Sequence, residues 1–157
     1  MTFEEMLRAN FDFQTPRMWD WAMGLAHHVA TASKDPSTKV GAVIFDDKRR
    51  LISAGYNGLP RGVHDTSERL HDRPTKYRMT QHAERNALAF AAAPTNGATM
   101  FITHPPCASC AGGIIQAGIR HVCYPADSVD AVLARWGEDL EAAEHMFNEA
   151  GVLIHVR

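Results

Sequence analysis

Residues 82–117 read HAERNALAFAAAPTNGATMFITHPPCASCAGGIIQA, and three elements are legible in that one stretch. HAERNALAFAAA, over 82–93, is rich in alanine and leucine and is predicted to be helical. Met100 to Thr103 is an apolar, β-prone run, stopped by Pro105-Pro106. A second helix is predicted over 108–117, with Gly118 suited to its end. A strand framed by two helices belongs to a layered α/β architecture.

Working upstream, VGAVIF over 40–45 and Leu51 to Tyr56 read as two strands joined at the hairpin tip Asp46-Asp47-Lys48-Arg49-Arg50. Before them, Trp19, Met23, Ala26 and Ala30 recur at helical spacing, so a helix is predicted over 16–32, with Pro16 in its first turn. Pro36 pushes Asp35 out of helical geometry and makes 33–38 a turn. Residues 1–15 read as a loosely attached arm or short helix, and the polar stretch after the Gly/Pro-rich loop 57–62 reads as loop to about Thr80. Downstream, a strand over 120–124, a helix over 129–150 broken near Gly137, and a last strand over 152–156 complete the order α-β-β-α-β-α-β-α-β. The expected fold is a mixed five-stranded sheet with helices on both faces, parallel where helices join the strands. It fills one domain over 1–157 with 1–15 as its arm, a length that supports a sizeable core.

Composition excludes several function classes. A hydrophobic fraction of 45% and a charged fraction of 22% are those of a globular protein, and a formal net charge of -2 gives no general attraction to nucleic acid or to an anionic membrane. Nothing approaches the ~20 apolar residues of a membrane span. The acidic start Met1-Thr2-Phe3-Glu4-Glu5 lacks the features of a secretory signal. Three cysteines make no disulfide framework, which points to a reducing, cytoplasmic location.

The chemistry concentrates in His82-Ala83-Glu84 and Pro106-Cys107-Ala108-Ser109-Cys110. Zinc favours imidazole nitrogen and thiolate sulfur, and three protein ligands leave a fourth position open for water. Cys107 and Cys110, three apart at a helix start, share a face, and a helix N-terminus lowers a thiol's pKa. His82 and Glu84 are two apart and both have to reach forward from a first turn. Bound zinc lowers the pKa of water to about 7, and Glu84, beside the metal but not bound to it, is then the general acid/base. Two plainer readings stand beside this one. Cys107 and Cys110 could be a redox pair, though no thioredoxin-like order accompanies them, and His104 could close a structural zinc site as a fourth ligand. Cys123, in an apolar strand, reads as core filling.

His-x-Glu followed by Pro-Cys-x-x-Cys resembles the signature of the zinc-dependent cytidine deaminase superfamily. Outside the metal residues, SKDPSTKVGA (33–42), GYNGLPRG (55–62), Thr75-Lys76-Tyr77, IIQAGI (114–119) and FNEAGV (147–152) resemble its deoxycytidylate branch, over roughly 17–154. The resemblance implies a three-layer α/β/α cytidine-deaminase-like fold and zinc-dependent hydrolysis of dCMP to dUMP and ammonia. It implies that Asn57 meets the sugar and that the Ala83 backbone meets the pyrimidine's O2 edge. A phosphate needs a cation, for which Lys34 is the candidate, and a solvated surface lysine is the alternative. Arg61, within the loop 57–62, could bind the phosphate of substrate or of effector or simply face water; His64 and Asp65 follow the loop where the family places a dCTP or dTTP effector, and the family's homo-oligomers imply a homo-oligomer here. Val63-His64-Asp65-Thr66, Tyr77-Arg78-Met79-Thr80 and His104-Pro105-Pro106 depart from the family pattern, and these departures bear on regulation and substrate choice. Two other functions fit the same motifs: deamination of another cytosine nucleoside or nucleotide or of a tRNA adenosine, and a non-catalytic zinc-containing nucleotide-binding module.

Overall fold

The computed structural model describes all residues, 1–157. Five strands, β1 (Gly41–Phe45), β2 (Leu51–Tyr56), β3 (Thr99–Ile102), β4 (His121–Tyr124) and β5 (Leu153–Val156), form one sheet in the order β2-β1-β3-β4-β5. β1 pairs antiparallel with both β2 and β3, while β3, β4 and β5 are parallel. The antiparallel β1–β3 pair departs from the parallel neighbours expected from helical connections. The helix between β2 and β3 does make those two strands run the same way, but they straddle β1 instead of touching.

Seven helices accompany the sheet: α1 (Phe3–Ala9), α2 (Pro16–Ala30), α3 (Ser67–His71), α4 (Arg73–Met79), α5 (Ala83–Ala89), α6 (Ala108–Gln116) and α7 (Val129–Ala150). The core falls into two layers. Ala42, Ile44, Met100, Ile102, Val122 and Tyr124 face Ala83 and Ala87 of α5, Ala111 and Ile114 of α6, and Ala143 and Phe147 of α7. The alternate residues Val43, Phe45, Phe101 and Cys123 face Trp19, Ala22, Met23 and Ala26 of α2. The strict alternation is the two-residue period of a sheet covered on both sides. Two glycines set how closely the helices approach. A Cβ on Gly41 would lie 2.0 Å from the Ala26 carbonyl oxygen of α2, and one on Gly55 would lie 2.4 Å from the Ala87 nitrogen of α5.

Residues 1–15 hold the short helix, one of the two expectations, and not the loose arm: a capping box between Thr2 and Glu5 starts α1, and Phe11 and Phe13 are buried in the α2-side core. Phe13 packs on Phe45 and Phe101, and Phe11 stacks on His155 with ring centroids 3.9 Å apart. Two aromatics in the turn after α1 give no helical period to read. The stretch after residue 62 is not loop to Thr80 but holds α3, capped by the Thr66 hydroxyl, and α4, with proline in its first turn. Neither helix carries a continuous apolar stripe, so neither was legible. The helix expected over 82–93 begins at Ala83 and ends at Ala89. The break near Gly137 falls one residue earlier, where Trp136 leaves helical geometry at φ -136°.

His121 of β4 and His155 of β5 share a hydrogen bond of 3.0 Å beneath Phe11. Burial, with Arg120 and Arg8 nearby, pushes His121 down to about 4. Burial, with His121, Arg8 and Arg157 nearby, pushes His155 down to about 3.

Two predictions follow from this packing. Gly55→Ala drives a methyl into the backbone of α5 and costs about 2 kcal/mol or more in urea unfolding; an unchanged midpoint would refute the close approach. Because both histidines titrate below their ordinary 6.5 in the folded chain, the unfolded chain binds protons first as the pH falls. Their contribution is complete above about pH 6.5 and is lost as the pH falls through about 4 for His121 and about 3 for His155. His155→Gln therefore flattens the pH dependence of stability in that window, whereas parallel curves for variant and wild type would contradict the assignment.

Candidate active site and metal centre

The starts of α5 and α6 meet at one end of the sheet. His82 is the N-cap of α5 and Cys107 the N-cap of α6, both with extended backbone (φ -70°, ψ 155° and φ -71°, ψ 167°). This resolves how groups two apart reach the same point. His82 stands outside the helix and Glu84 is its second helical residue, so each leaves the open end in its own direction. Cys110 lies three residues beyond Cys107, and its backbone N–H donates to the Cys107 sulfur at 3.4 Å. The two helix starts are held together by Arg85, which donates to the Ser109 hydroxyl at 3.2 Å. Asp139 of α7 accepts from the Ala108 N–H at 2.8 Å and so caps α6 from outside.

His82 Nδ1 lies 3.5 Å from Cys107 Sγ and 3.4 Å from Cys110 Sγ, and the three donor atoms lie within 4.8 Å of one another. A tetrahedral zinc with ordinary Zn–N and Zn–S lengths sets its nitrogen and sulfur ligands about 3.6 Å apart. The donor set and its spacing therefore fit zinc, and they are three groups, with His104 outside the cluster. His104 lines the adjoining cavity, with its Nδ1 3.3 Å from the Thr103 hydroxyl. The two thiols behave as one titrating unit. A hydrogen bond from Cys110, and further ones from His82 and the Cys110 N–H, outweigh burial and draw Cys107 down to about 4. Cys110 is pushed up, first by Cys107 and then by burial. A thiolate at Cys107 is the form a metal takes up.

Glu84 is 4% exposed and lies in the same cavity, and burial pushes its carboxyl up to about 7. It forms no ion pair. The cavity, of about 460 Å³, runs from His82, Glu84 and Cys107 to a mouth formed by α4 and α7. Ala83 and Asn57 also line it. Asn57 is buried, and its side chain accepts from the Val40 N–H at 2.8 Å and donates to the Thr38 carbonyl at 2.9 Å. It thereby fixes the chain between α2 and β1. Gly58 and Gln81 exchange backbone hydrogen bonds of 3.1 and 2.8 Å, which tie the loop after β2 to the residue before His82.

The remaining sequence candidates are not brought into this cavity. Lys34 is exposed and forms an ion pair with Asp65 at 2.8 Å, outside the lining. Arg61 lies over the Phe90 ring at 5.0 Å, and the His64 carbonyl accepts from Arg69 at 2.8 Å. The cations that do line the cavity are Arg73, Lys76 and Arg135; none of them has a role assigned from sequence, although Lys76 lies in the Thr75-Lys76-Tyr77 stretch. Lys76 is buried and pairs with Asp35 at 3.0 Å. Burial pushes the Asp35 carboxyl up, but the Thr38 and Ser37 N–H groups and Lys76 together hold it below its ordinary value. Asp139 also went unread, because its partner is an amide 31 residues away. The only signal that could have found these residues was the placement of α4 and α7, which local pattern does not give.

If Asp139 holds the α6 start in place, Asp139→Ala weakens zinc binding about tenfold. Competition with a chromogenic chelator reads this without reference to turnover, and an unchanged zinc affinity would remove Asp139 from the site.

Residues 17–126 match the model of the cytidine and deoxycytidylate deaminase zinc-binding region. The chain is 45% identical, over 82% of its length and 85% of the relative's, to an uncharacterized deaminase in the luxG 3' region of Aliivibrio fischeri. It is 37% identical, over 85% of its length and 75% of the relative's, to the deoxycytidylate deaminase of Mus musculus. Among solved structures, the dCMP deaminase of the cyanophage S-TIM5 in its apo form superposes with a TM-score of 0.66 at 25% identity, covering 92% of this chain and 100% of that one. A three-donor nitrogen and sulfur cluster beside an unpaired buried carboxylate, on a mixed five-stranded α/β/α frame, agrees with that family match: the chain belongs to the cytidine and deoxycytidylate deaminase zinc-binding family.

Proposed function

We propose that this chain is a zinc-dependent hydrolase that converts dCMP to dUMP and ammonia. The observation that carries the reading is the His82, Cys107 and Cys110 cluster, of which His82 and Cys107 line the same cavity as Glu84, a buried carboxylate in no ion pair. The deoxycytidylate deaminase relative from mouse supports the choice of substrate.

His82, Cys107 and Cys110 would hold the metal, which when bound supplies Lewis-acid polarisation and an acidified water. Every other step falls to the chain. Glu84, in the cavity wall, would take a proton from water and deliver it to the pyrimidine ring nitrogen while the water's oxygen bonds to the ring carbon that carries the amino group. It would then take the proton of the hydroxyl so formed and pass it to the amino group, whose C–N bond breaks to release ammonia and leave the carbonyl of dUMP. The buried setting keeps the Glu84 carboxyl between its two protonation states instead of fixing it as an anion, which suits a group that both accepts and donates. In this reading the Ala83 backbone at the start of α5 would meet the base, and Asn57, just after β2, would meet the sugar; both line the cavity, and the Asn57 side chain also holds the 38–40 turn.

The finer parts of the reading are these. The charged loop carrying Arg61, His64 and Asp65 would take a dCTP or dTTP effector, with Lys34 committed to Asp65 at its edge. The assembly is a homo-oligomer, checked by light scattering. The placement is cytoplasmic, in keeping with three free cysteines. No helix of the chain is long and apolar enough to cross a membrane.

Glu84→Gln is expected to lower kcat for dCMP by about a hundredfold to ten-thousandfold while the protein keeps its zinc by metal analysis. Full activity in that variant would overturn the assignment of the proton carrier. Release of no ammonia from dCMP by the zinc-loaded wild type would overturn the function itself.

A further inference from the structure

The cavity that reaches the metal residues has a charged mouth whose bookkeeping does not close. Of its carboxylates, Asp35 is matched by Lys76 at 3.0 Å and Asp139 by the Ala108 N–H at 2.8 Å. Of its cations, Lys76 is thereby consumed. Arg73, at the start of α4, and Arg135, one residue before the kink of α7, have no carboxylate partner. Both are held by one side chain. The Arg135 guanidinium donates to the Tyr77 hydroxyl at 3.3 Å, and the Arg73 guanidinium lies 5.9 Å from the centre of the Tyr77 ring. A second aromatic, Trp136, lies 5.8 Å from Arg135.

We propose that Arg73 and Arg135, bracketed by Tyr77, form the subsite for the phosphate monoester of the substrate and so set the preference for nucleotide over nucleoside. The inference rests on the deaminase reading of the cavity. Its physical basis is two guanidinium groups that no carboxylate engages, against one carboxylate of the wall, Asp139, that a neutral amide holds without cancelling its charge. Two forked donors at the solvent end of a cavity match an anion with three acceptor oxygens, which guanidinium groups recognise in bidentate fashion. Tyr77 restrains both long side chains before the anion arrives, so less rotamer freedom is lost on binding. The kink at Trp136 has a function in this reading, because an unbroken α7 would carry residues 135 and 139 along one line. Here Asp139 reaches the start of α6 while Arg135 stays at the mouth. Lys34, the cation expected from sequence for this role, is outside the cavity and neutralised by Asp65.

The test compares kcat/KM for dCMP and for deoxycytidine in the zinc-loaded full chain. Both arginines are exposed, so Arg73→Gln and Arg135→Gln leave the core intact. Each is expected to lower the dCMP-to-deoxycytidine ratio of kcat/KM about tenfold to a hundredfold, the loss of one charge-assisted contact. Tyr77→Phe, which removes only the hydroxyl, lowers it less. A ratio that neither arginine variant moves overturns the subsite, as does a larger fall for Lys34→Gln than for either arginine variant. If the wild type releases ammonia from neither compound, the deaminase reading falls, and the subsite is then judged by calorimetry with the same two compounds. A dCMP Kd raised at least tenfold in the arginine variants supports it, and an equal Kd in variant and wild type overturns it.

Discussion

Everything at the site depends on two helix starts being held face to face at a spacing that soft donors can share. His82 and Cys107 are both N-cap residues, so both side chains leave the backbone before helical geometry begins, and both project into the gap between α5 and α6. An N-cap is the one position from which a short side chain can reach along a helix axis instead of away from it. The gap is fixed by contacts outside it. Gly55 lets α5 lie directly on β2, Arg85 bridges to Ser109, and Asp139 anchors the first amide of α6. A shift of an ångström in either helix would separate an imidazole from a sulfur that now lie 3.4 Å apart.

The same packing leaves Glu84 in an unusual position. A carboxylate that is buried without an ion-pair partner is costly, and here a backbone N–H and the nearby His82 and Arg85 offset burial only in part. Lys76, the nearest buried ammonium in the cavity wall, is taken by Asp35, and Arg85 is turned toward Gln81 and Ser109. Stability is given up here for a group that can change protonation state, which is the usual bargain of a proton-transfer site. Environment separates the groups further: the Cys107 sulfur sits where negative charge is favoured, the Glu84 carboxylate where burial opposes it.

Away from the metal, the cavity is built by elements that carry little pattern of their own. α4 is a seven-residue helix with one buried residue, and that residue is a lysine. α7 bends at Trp136 and presents Arg135 and Asp139 to different places. The N-terminal segment is anchored by Phe11 and Phe13 on the opposite face of the sheet, where a buried histidine pair answers to acid. The metal side and the arm side of the sheet meet through the strands and through the turn after α2, where Asp35 pairs with Lys76.

How far the sequence could be read follows from the range of the forces involved. All five strands, helices α2, α5, α6 and α7 with its break, and the metal and carboxylate residues were legible because each rests on local facts: a two- or 3.6-residue period, a proline, or ligands close enough in sequence to share a helix start. The helices α3 and α4, the docking of residues 1–15, the pairing of β3 against β1, and the cations at the cavity mouth were not. Their existence depends on partners far along the chain: Phe11 on His155, Asp139 on Ala108, Lys76 on Asp35. Lys34 shows the limit most directly, since sequence proximity to a turn suggested a cation for substrate and the fold gave it to Asp65 instead. The sequence by itself determined the kind of chemistry, because donor type and spacing are covalent facts. Only the tertiary structure decided which charges remain free to meet a ligand, because an ion pair between distant segments exists only after the chain has closed.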